Sequence, residues 1–328
     1  MIELIERFPQ QLRHATQLLS EYQIYPVVNL PKNVIVSGLG GSGIGGHAII
    51  ELCADELKVP VVVNNSYTLP NFASSDTLIL LSSYSGNTEE TLSVAQQTYQ
   101  KGLKAICITS GGSLASFARD VGWQVLFIPS GMPPRCGFGY SVMFQLHTLH
   151  AHHLISDSFD NKASDTADML EREQDEIKVL AQQIALKLHN RFFAIFADQW
   201  FHSLVIRAKQ QFNENSKSLC WANVFPEMNH NELVAWRGSK ENISILIFRS
   251  SLENERNKHR IAFTKEVIHA TGAEIIEVFA KGKNHFEQYF FHVHLTDWIS
   301  YYLAKQQNFD PMEIEVLNKL KAHLASIK

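Results

Sequence analysis

One stretch limits what this chain can fold into more than any other. Residues 34–47 read VIVSGLGGSGIGGH: an apolar run passes straight into a glycine-dense turn and then into a segment able to continue as helix. An apolar run without polar alternation suits a strand buried on both faces of a sheet. Glycines let the backbone approach a ligand closely, and a helix start behind them presents unpaired N–H groups and the positive end of its dipole. Such a turn is built to receive an anion.

Gly38, Gly40 and Gly43 also satisfy the dinucleotide fingerprint. That fingerprint asks in addition for an acidic residue about 20 positions on, at the end of the second strand, to hold the ribose hydroxyls. Here the second strand, 61–65, ends in Asn64 and Asn65, and the nearest acids, Asp55 and Glu56, precede it. A nicotinamide or flavin cofactor is therefore disfavoured.

The 328 residues exceed the roughly 100–200 of a typical domain and suggest two, with 45% hydrophobic content to fill two cores. The net charge is −4, without a basic block, so neither nucleic acid nor an acidic membrane surface is an expected partner and a small molecule is. Cys53, Cys107, Cys136 and Cys220 show no paired spacing, the pattern of a reduced intracellular protein. The first residues carry Glu3 and Glu6 where a signal peptide carries cations, and no apolar run approaches the roughly 18–20 residues of a membrane span. A soluble, cytoplasmic protein is the expectation.

Helical periodicity covers residues 1–25, with Pro9 placed against an unbroken run. Short apolar strands follow at 33–37, 61–65, 77–82, 104–109 and 125–128, each separated by a helical or turn segment. That alternation predicts an α/β fold, a doubly wound parallel sheet covered on both faces and ending near His153. Residues 157–188 lack Gly and Pro and space Leu170, Ile177, Leu180, Ile184 and Leu188 as a helix does, predicting a connecting helix. A second alternation has strands at 191–197, 243–248 and 274–278 and helices near 202–212, 256–271 and 285–304, as if the architecture repeats. Asp310 and Pro311 are placed to start a last amphipathic helix over 312–327. The domains expected are 1–153, a connecting helix at 154–190, and 191–328.

A second donor-rich loop, SYSGNTEET at 83–91, follows the apolar strand at 77–82. The hydroxyls of Ser83, Ser85 and Thr88, with the amides of a helix start, form a neutral cage able to hold a phosphate dianion. Such residues also cap helices and shape turns without binding anything. Two such loops at strand ends of one sheet lie where open α/β folds take ligands.

The segments at 37–46 and 83–91, PPRCGFGY at 133–140, NEN at 213–215 and PEMNHNE at 226–232 together resemble the bifunctional phosphoglucose/phosphomannose isomerase family. The resemblance spans most of the chain. It implies two sugar isomerase (SIS) domains, each a flavodoxin-like three-layer sandwich, and a C-terminal helix returning to the active site. It also implies a homodimer, with the site at domain and subunit boundaries. The implied reaction interconverts glucose 6-phosphate, and mannose 6-phosphate, with fructose 6-phosphate. Moving a carbonyl between C1 and C2 needs a base that carries a proton between the carbons and an acid/base that opens the ring. It needs no redox cofactor and no metal.

Glu214, read as part of a polar turn after an apolar helix, is similar to the family's proton-shuttling glutamate, a role that asks for partial desolvation. His230 matches the histidine that helps open the ring, in its own or a neighbouring subunit, with Asn229 and Asn231 beside it to fix its tautomer. Glu227 and Glu232 are acidic rivals of Glu214 and match flanking positions. For phosphate the resemblance points to Gly41, Ser42, Ser83, Ser85 and Thr88. Arg135, on a loop stiffened by Pro133 and Pro134, is placed to bind substrate oxygens or steady the negative charge of an enediolate. The C-terminal lysine is Lys321, with Lys319 as rival. Met312 stands where the family tends toward a hydroxyl, which bears on the choice between glucose and mannose configuration.

His147, His150, His152 and His153 suggest a metal cluster, but this spacing lines one side of a helix and no nearby carboxylate or cysteine completes a tetrahedron. His292 and His294 read as helix-face residues. A sugar-phosphate-sensing protein without chemistry would need only the phosphate cage, so Glu214, His230 and a C-terminal lysine argue against it. An aminating enzyme would carry an amidotransferase half with an N-terminal cysteine.

Overall fold

Val34, Ile35 and Val36 are fully buried, as are Leu78 to Leu81 in the strand beside them, so the continuous apolar runs do become strands covered on both faces. The computed structural model describes residues 1–238 and 242–327. The chain opens with α1 (Ile2–Glu6) and α2 (Phe8–Ser20). The helical stretch over 1–25 is broken at Arg7, as Pro9 led one to expect: it has no N–H to give and takes the first turn of a new helix.

Then come β1 (Asn33–Ser37), α3 (Gly40–Leu52), β2 (Val61–Asn64), β3 (Thr77–Ser82), α4 (Glu89–Gln100), β4 (Ile106–Thr109), α5 (Gly112–Asp120), β5 (Gln124–Phe127) and α6 (Phe138–Ala151). The five strands pair in parallel in the order β2-β1-β3-β4-β5. One face of this sheet packs Ile35, Ile79, Leu81 and Cys107 against Val94, Leu114 and Ala118 of α4 and α5. On the α3 side, Gly46 makes room: a Cβ there would lie 2.9 Å from Val36 Cγ1 and 3.0 Å from Val63 Cγ2.

The long helix α7 (Asp160–Leu188) buries Leu170, Ile177, Ile184 and Leu188 on the predicted stripe. After it come β6 (Phe192–Asp198), α8 (His202–Ser216), β7 (Cys220–Phe225), the single turn α9 (Glu232–Ala235), β8 (Ile243–Arg249), α10 (Glu255–His269), β9 (Glu274–Phe279), α11 (His285–Gln306) and α12 (Glu315–Ser326). The second sheet is also parallel, in the order β7-β6-β8-β9.

Strand β7 was not expected. It is an edge strand, half-exposed over its first four residues, and polar Asn223 interrupts its short apolar pattern. The last helix starts at Glu315 rather than 312: Asp310 Oδ1 accepts from Met312 N (2.8 Å) and closes a turn ahead of the helix instead of capping it. No helix among the described residues is long and apolar enough to cross a membrane.

The chain divides into two compact units. One comprises Glu6–Arg172 with Gly282–Phe290 and contains the first sheet; the other comprises Met1–Ile5, Glu173–Lys281 and Phe291–Lys328 and contains the second. In each sheet the chain lays one strand to one side of the first and the next strand to the other. This creates a switch point between β1 and β3, and another between β6 and β8.

Candidate functional site

The first switch point carries the predicted phosphate loops. Asn65 Nδ2 donates to the Gly38 carbonyl (2.6 Å) and Asn64 Nδ2 to that of Thr68 (3.1 Å). The amides that replace the ribose acid therefore hold backbone. Ser42, in the first turn of α3, accepts through Oγ from the backbone N–H of Tyr84 (3.1 Å), which ties the loop after β1 to the loop after β3. Gly41 sits against the backbone of the Arg135 turn: a Cβ there would lie 3.0 Å from the Pro134 carbonyl oxygen and 3.3 Å from Arg135 Cα. Three loops of one unit thus converge, and Gly41, Ser42, Ser83, Thr88 and Arg135 come from them.

Within the second loop, Ser83 Oγ and Thr88 Oγ1 share a hydrogen bond (2.8 Å). Thr88 is the residue before α4, yet its side chain makes no capping bond, so it does not take up the N–H groups of that helix start. Ser85 is exposed, and its Oγ accepts from Asn87 N (3.2 Å). Asn87 Oδ1 in turn accepts from Ser113 N (3.0 Å), strapping the loop to α5. Arg135 lies in a short helical turn and is only 5% exposed.

The second switch point is chemically different. Asp198, at the end of β6, is buried and accepts from Trp200 N (3.1 Å) and Asn257 Nδ2 (2.7 Å). After β8, the Glu253 carboxylate accepts from Arg249 Nε (2.8 Å) and Ser250 N (2.9 Å), while Glu277 is gripped by Arg249 and Lys265. Burial opposes ionisation of Glu277, but these two cations hold its carboxyl below the usual carboxylate range. Where the first unit presents hydroxyls, this one presents carboxylates already engaged by backbone, amide and cationic partners.

The catalytic candidates lie in this second unit. Glu214 is half-buried and lies in the last turn of α8, not in a turn beyond it, because the helix runs on to Ser216. Lys217, in left-handed conformation, closes the helix and donates through Nζ to the carbonyls of Glu214 (3.0 Å), Asp310 (2.8 Å) and Glu313 (2.9 Å). Behind it, Arg207 pairs with Asp297 (2.8 Å) and Asn215 Nδ2 donates to Ser300 Oγ (2.9 Å), fastening α8 to α11. A cavity of about 360 Å³ is lined by Asn213, Glu214, Lys217, Ile314 just ahead of α12 and Leu317 in its first turn.

His230 ends a short turn after β7 and is exposed. Its neighbours do not fix its ring: Asn229 Nδ2 donates to Thr264 Oγ1 (2.8 Å) and Asn231 Nδ2 to Glu227 (3.2 Å). Glu232 has both oxygens engaged, by Trp221 Nε1 (2.7 Å) and Asn223 Nδ2 (2.8 Å), which weakens it as a rival of Glu214. Lys321 is exposed on α12, a helix that buries none of its residues, and Lys319 pairs there with Glu315 (2.6 Å). Met312 is 39% exposed in the turn ahead of α12.

Two of the four clustered histidines have ordinary partners. His147 meets Asp160 (2.8 Å), and His152 contacts the Thr148 carbonyl (2.7 Å) and accepts from Val27 N (3.2 Å). Asp160 is the nearby carboxylate that the sequence did not reveal, yet no group of three or more potential metal ligands occurs among the described residues. His292 and His294 lie on α11, as expected of helix-face residues, and the face they occupy is wholly buried. Sequence reasoning passed over Tyr84 and Lys217; each is an unremarked residue inside a polar run, and only the backbone path gives it several partners.

Comparison with known proteins gives two family matches. Residues 30–151 match the SIS domain, and residues 177–324 match the bacterial phospho-glucose isomerase C-terminal SIS domain. In fold the chain is similar to the C-terminal domain of glucosamine-fructose-6-phosphate aminotransferase from Francisella tularensis, with a TM-score of 0.77, 14% identity and coverage of 95% of this chain and 98% of that one. A protein from Aquifex aeolicus named bifunctional phosphoglucose/phosphomannose isomerase is 30% identical over 89% of this chain and 90% of its own length. A protein of the same name from Caldicellulosiruptor bescii is 34% identical over 100% of both chains. With relatives this similar along its whole length, the chain belongs to the bifunctional phosphoglucose/phosphomannose isomerase family.

Proposed function

We propose that this protein is an aldose–ketose isomerase working without cofactor, which interconverts glucose 6-phosphate and mannose 6-phosphate with fructose 6-phosphate. The observation that carries the proposal is the convergence at the first switch point: Ser42 bonded to Tyr84 N, Ser83 bonded to Thr88, and Gly41 against the Arg135 turn. Family membership supports the choice of substrate. The phosphate is held by hydroxyls and by the N–H groups at the starts of α3 and α4.

His230 assists ring opening, and the Glu214 carboxylate then takes the proton from C2 of the open aldose. The C–H electron pair becomes the C1–C2 double bond, and the carbonyl pair moves onto O1 to give a cis-enediolate. Glu214 returns the proton to C1, and O2 gives its proton to O1 as it becomes the carbonyl. Arg135 steadies the charge on the enediolate oxygens, and Lys321 is the C-terminal lysine of the site.

Purified protein is given fructose 6-phosphate in the presence of a chelator, with glucose 6-phosphate detected by a coupled assay. Turnover unaffected by the chelator is expected. Binding of fructose 6-phosphate without turnover would replace the isomerase with a sugar-phosphate sensor.

A further inference from the structure

We infer that Tyr84 is a positioning residue that sets Arg135 against the phosphate loops, an assignment that rests on the isomerase reading above. Through its backbone Tyr84, which stands on the second phosphate loop, holds the first loop and the loop after β4: its N–H donates to Ser42 Oγ (3.1 Å), and its carbonyl accepts from Ser110 N (2.9 Å) and Ser110 Oγ (2.7 Å). Through its side chain it holds the third. The hydroxyl donates to the Pro129 carbonyl (3.0 Å) and accepts from Met132 N (3.1 Å), on the segment that leads into Pro133, Pro134 and Arg135. The ring closes on the far side of that turn, where a Cβ at Gly137 would lie 3.2 Å from it.

A second clamp holds the exit of the turn. Gln11 of α2 donates through Nε2 to the Cys136 carbonyl (2.8 Å) and accepts through Oε1 from Gly139 N (2.8 Å). Tyr84 and Gln11 are 9% and 8% exposed, so neither exchanges these bonds readily for water. Burial raises the Tyr84 hydroxyl pKa and keeps its proton in place for Pro129. The turn that carries Arg135 is thereby fixed at both ends, one end to the residue whose amide holds the first phosphate loop. Displacement of a charged group by about 1 Å costs on the order of 100-fold in rate, so such fixing bears on catalysis.

The test is a double-mutant cycle of Tyr84→Phe and Arg135→Ala in the full chain, with fructose 6-phosphate as the probe. Phenylalanine keeps the ring and the backbone N–H, so phosphate capture persists while the entry clamp is released. A fall in kcat of roughly 10- to 100-fold is expected, with a much smaller change in KM. In the Arg135→Ala background Tyr84→Phe should cost nothing further, and Gln11→Met should behave the same way. Additive losses, wild-type kinetics of Tyr84→Phe, or a raised KM at unchanged kcat would each overturn the assignment. If wild type binds fructose 6-phosphate but does not turn it over, the isomerase reading fails. The cycle read in Kd then decides: non-additive losses uphold the clamp and independent losses overturn it. Absence of both binding and turnover in wild type overturns both.

Discussion

The hydroxyl oxygen of Ser42 accepts a hydrogen bond from the backbone N–H of Tyr84 at 3.1 Å, although the two residues stand on loops that leave different strands. This bond crosses the first switch point and is buried, so removing the acceptor strands an amide away from water. Ser42→Ala is expected to lower the free energy of unfolding by about 1–3 kcal/mol and to raise KM for fructose 6-phosphate. Chemical denaturation beside steady-state kinetics checks both; unchanged values would remove Ser42 from the site.

Gly86 is expected to tolerate no side chain. Its φ is +68°, and a Cβ would lie 1.8 Å from the Gly111 carbonyl oxygen, which is backbone and cannot swing aside. Gly86→Ala should destabilise the protein by more than about 1 kcal/mol and abolish sugar-phosphate binding, because the loop cannot keep its path. Thermal unfolding and titration calorimetry read the two effects, and a variant matching wild type in both would show that the loop is not braced as described.

The buried histidines of α11 make stability depend on pH. Burial pushes His292 down to about 4. Burial, with the positive charges of Lys178 and Arg207, pushes His294 to about 3. Both folded values lie below the ordinary 6.5, so the unfolded chain binds the extra protons. Their contribution is complete above pH 6.5 and is lost as pH falls from there toward about 4 and 3, by up to roughly 1.4 kcal/mol per pH unit for each ring. Unfolding should therefore take up protons near pH 5, measurable as a falling Tm between about pH 7 and pH 5. A flat profile over that window would mean these rings are not buried neutral.

The two lysines of α12 are separable by substitution. Lys319 already pairs with Glu315 on an exposed face, an interaction of about 0–1 kcal/mol, so Lys319→Ala should leave kcat/KM nearly unchanged. Lys321→Ala should lower it on the order of 100-fold, the scale of losing one side chain from a reacting centre. Steady-state kinetics on fructose 6-phosphate decide between them, and the reverse order of effects would move the role to Lys319.

Much of the architecture was legible because long apolar strands such as 77–82 leave no other place to go than the middle of a sheet. β7 was not legible, since an edge strand needs burial on one side only and Asn223 breaks its pattern. The donor loops were visible as residue types, but the bonds that join them were not: Ser42 and Tyr84 are 42 residues apart, and nothing local says that one amide meets that hydroxyl. The ending of α8 was misjudged because Asn213, Glu214 and Asn215 are ordinary turn residues. Asn215 and Lys217 instead gain partners far along the chain that hold the last turn in place. The difference between the two switch points was equally hidden, because the acids that close the second come from separate strands and loops.

Proton transfer by Glu214 is tested most directly by running the reaction in deuterium oxide and following C1 and C2 by NMR. Deuterium is expected at C2 of the glucose 6-phosphate formed from fructose 6-phosphate and at C1 of the recovered ketose. Glu214→Gln should lose at least about 100-fold of both exchange and turnover. Turnover that carries no deuterium into either carbon, or a Glu214→Gln variant that exchanges like wild type, would contradict the mechanism.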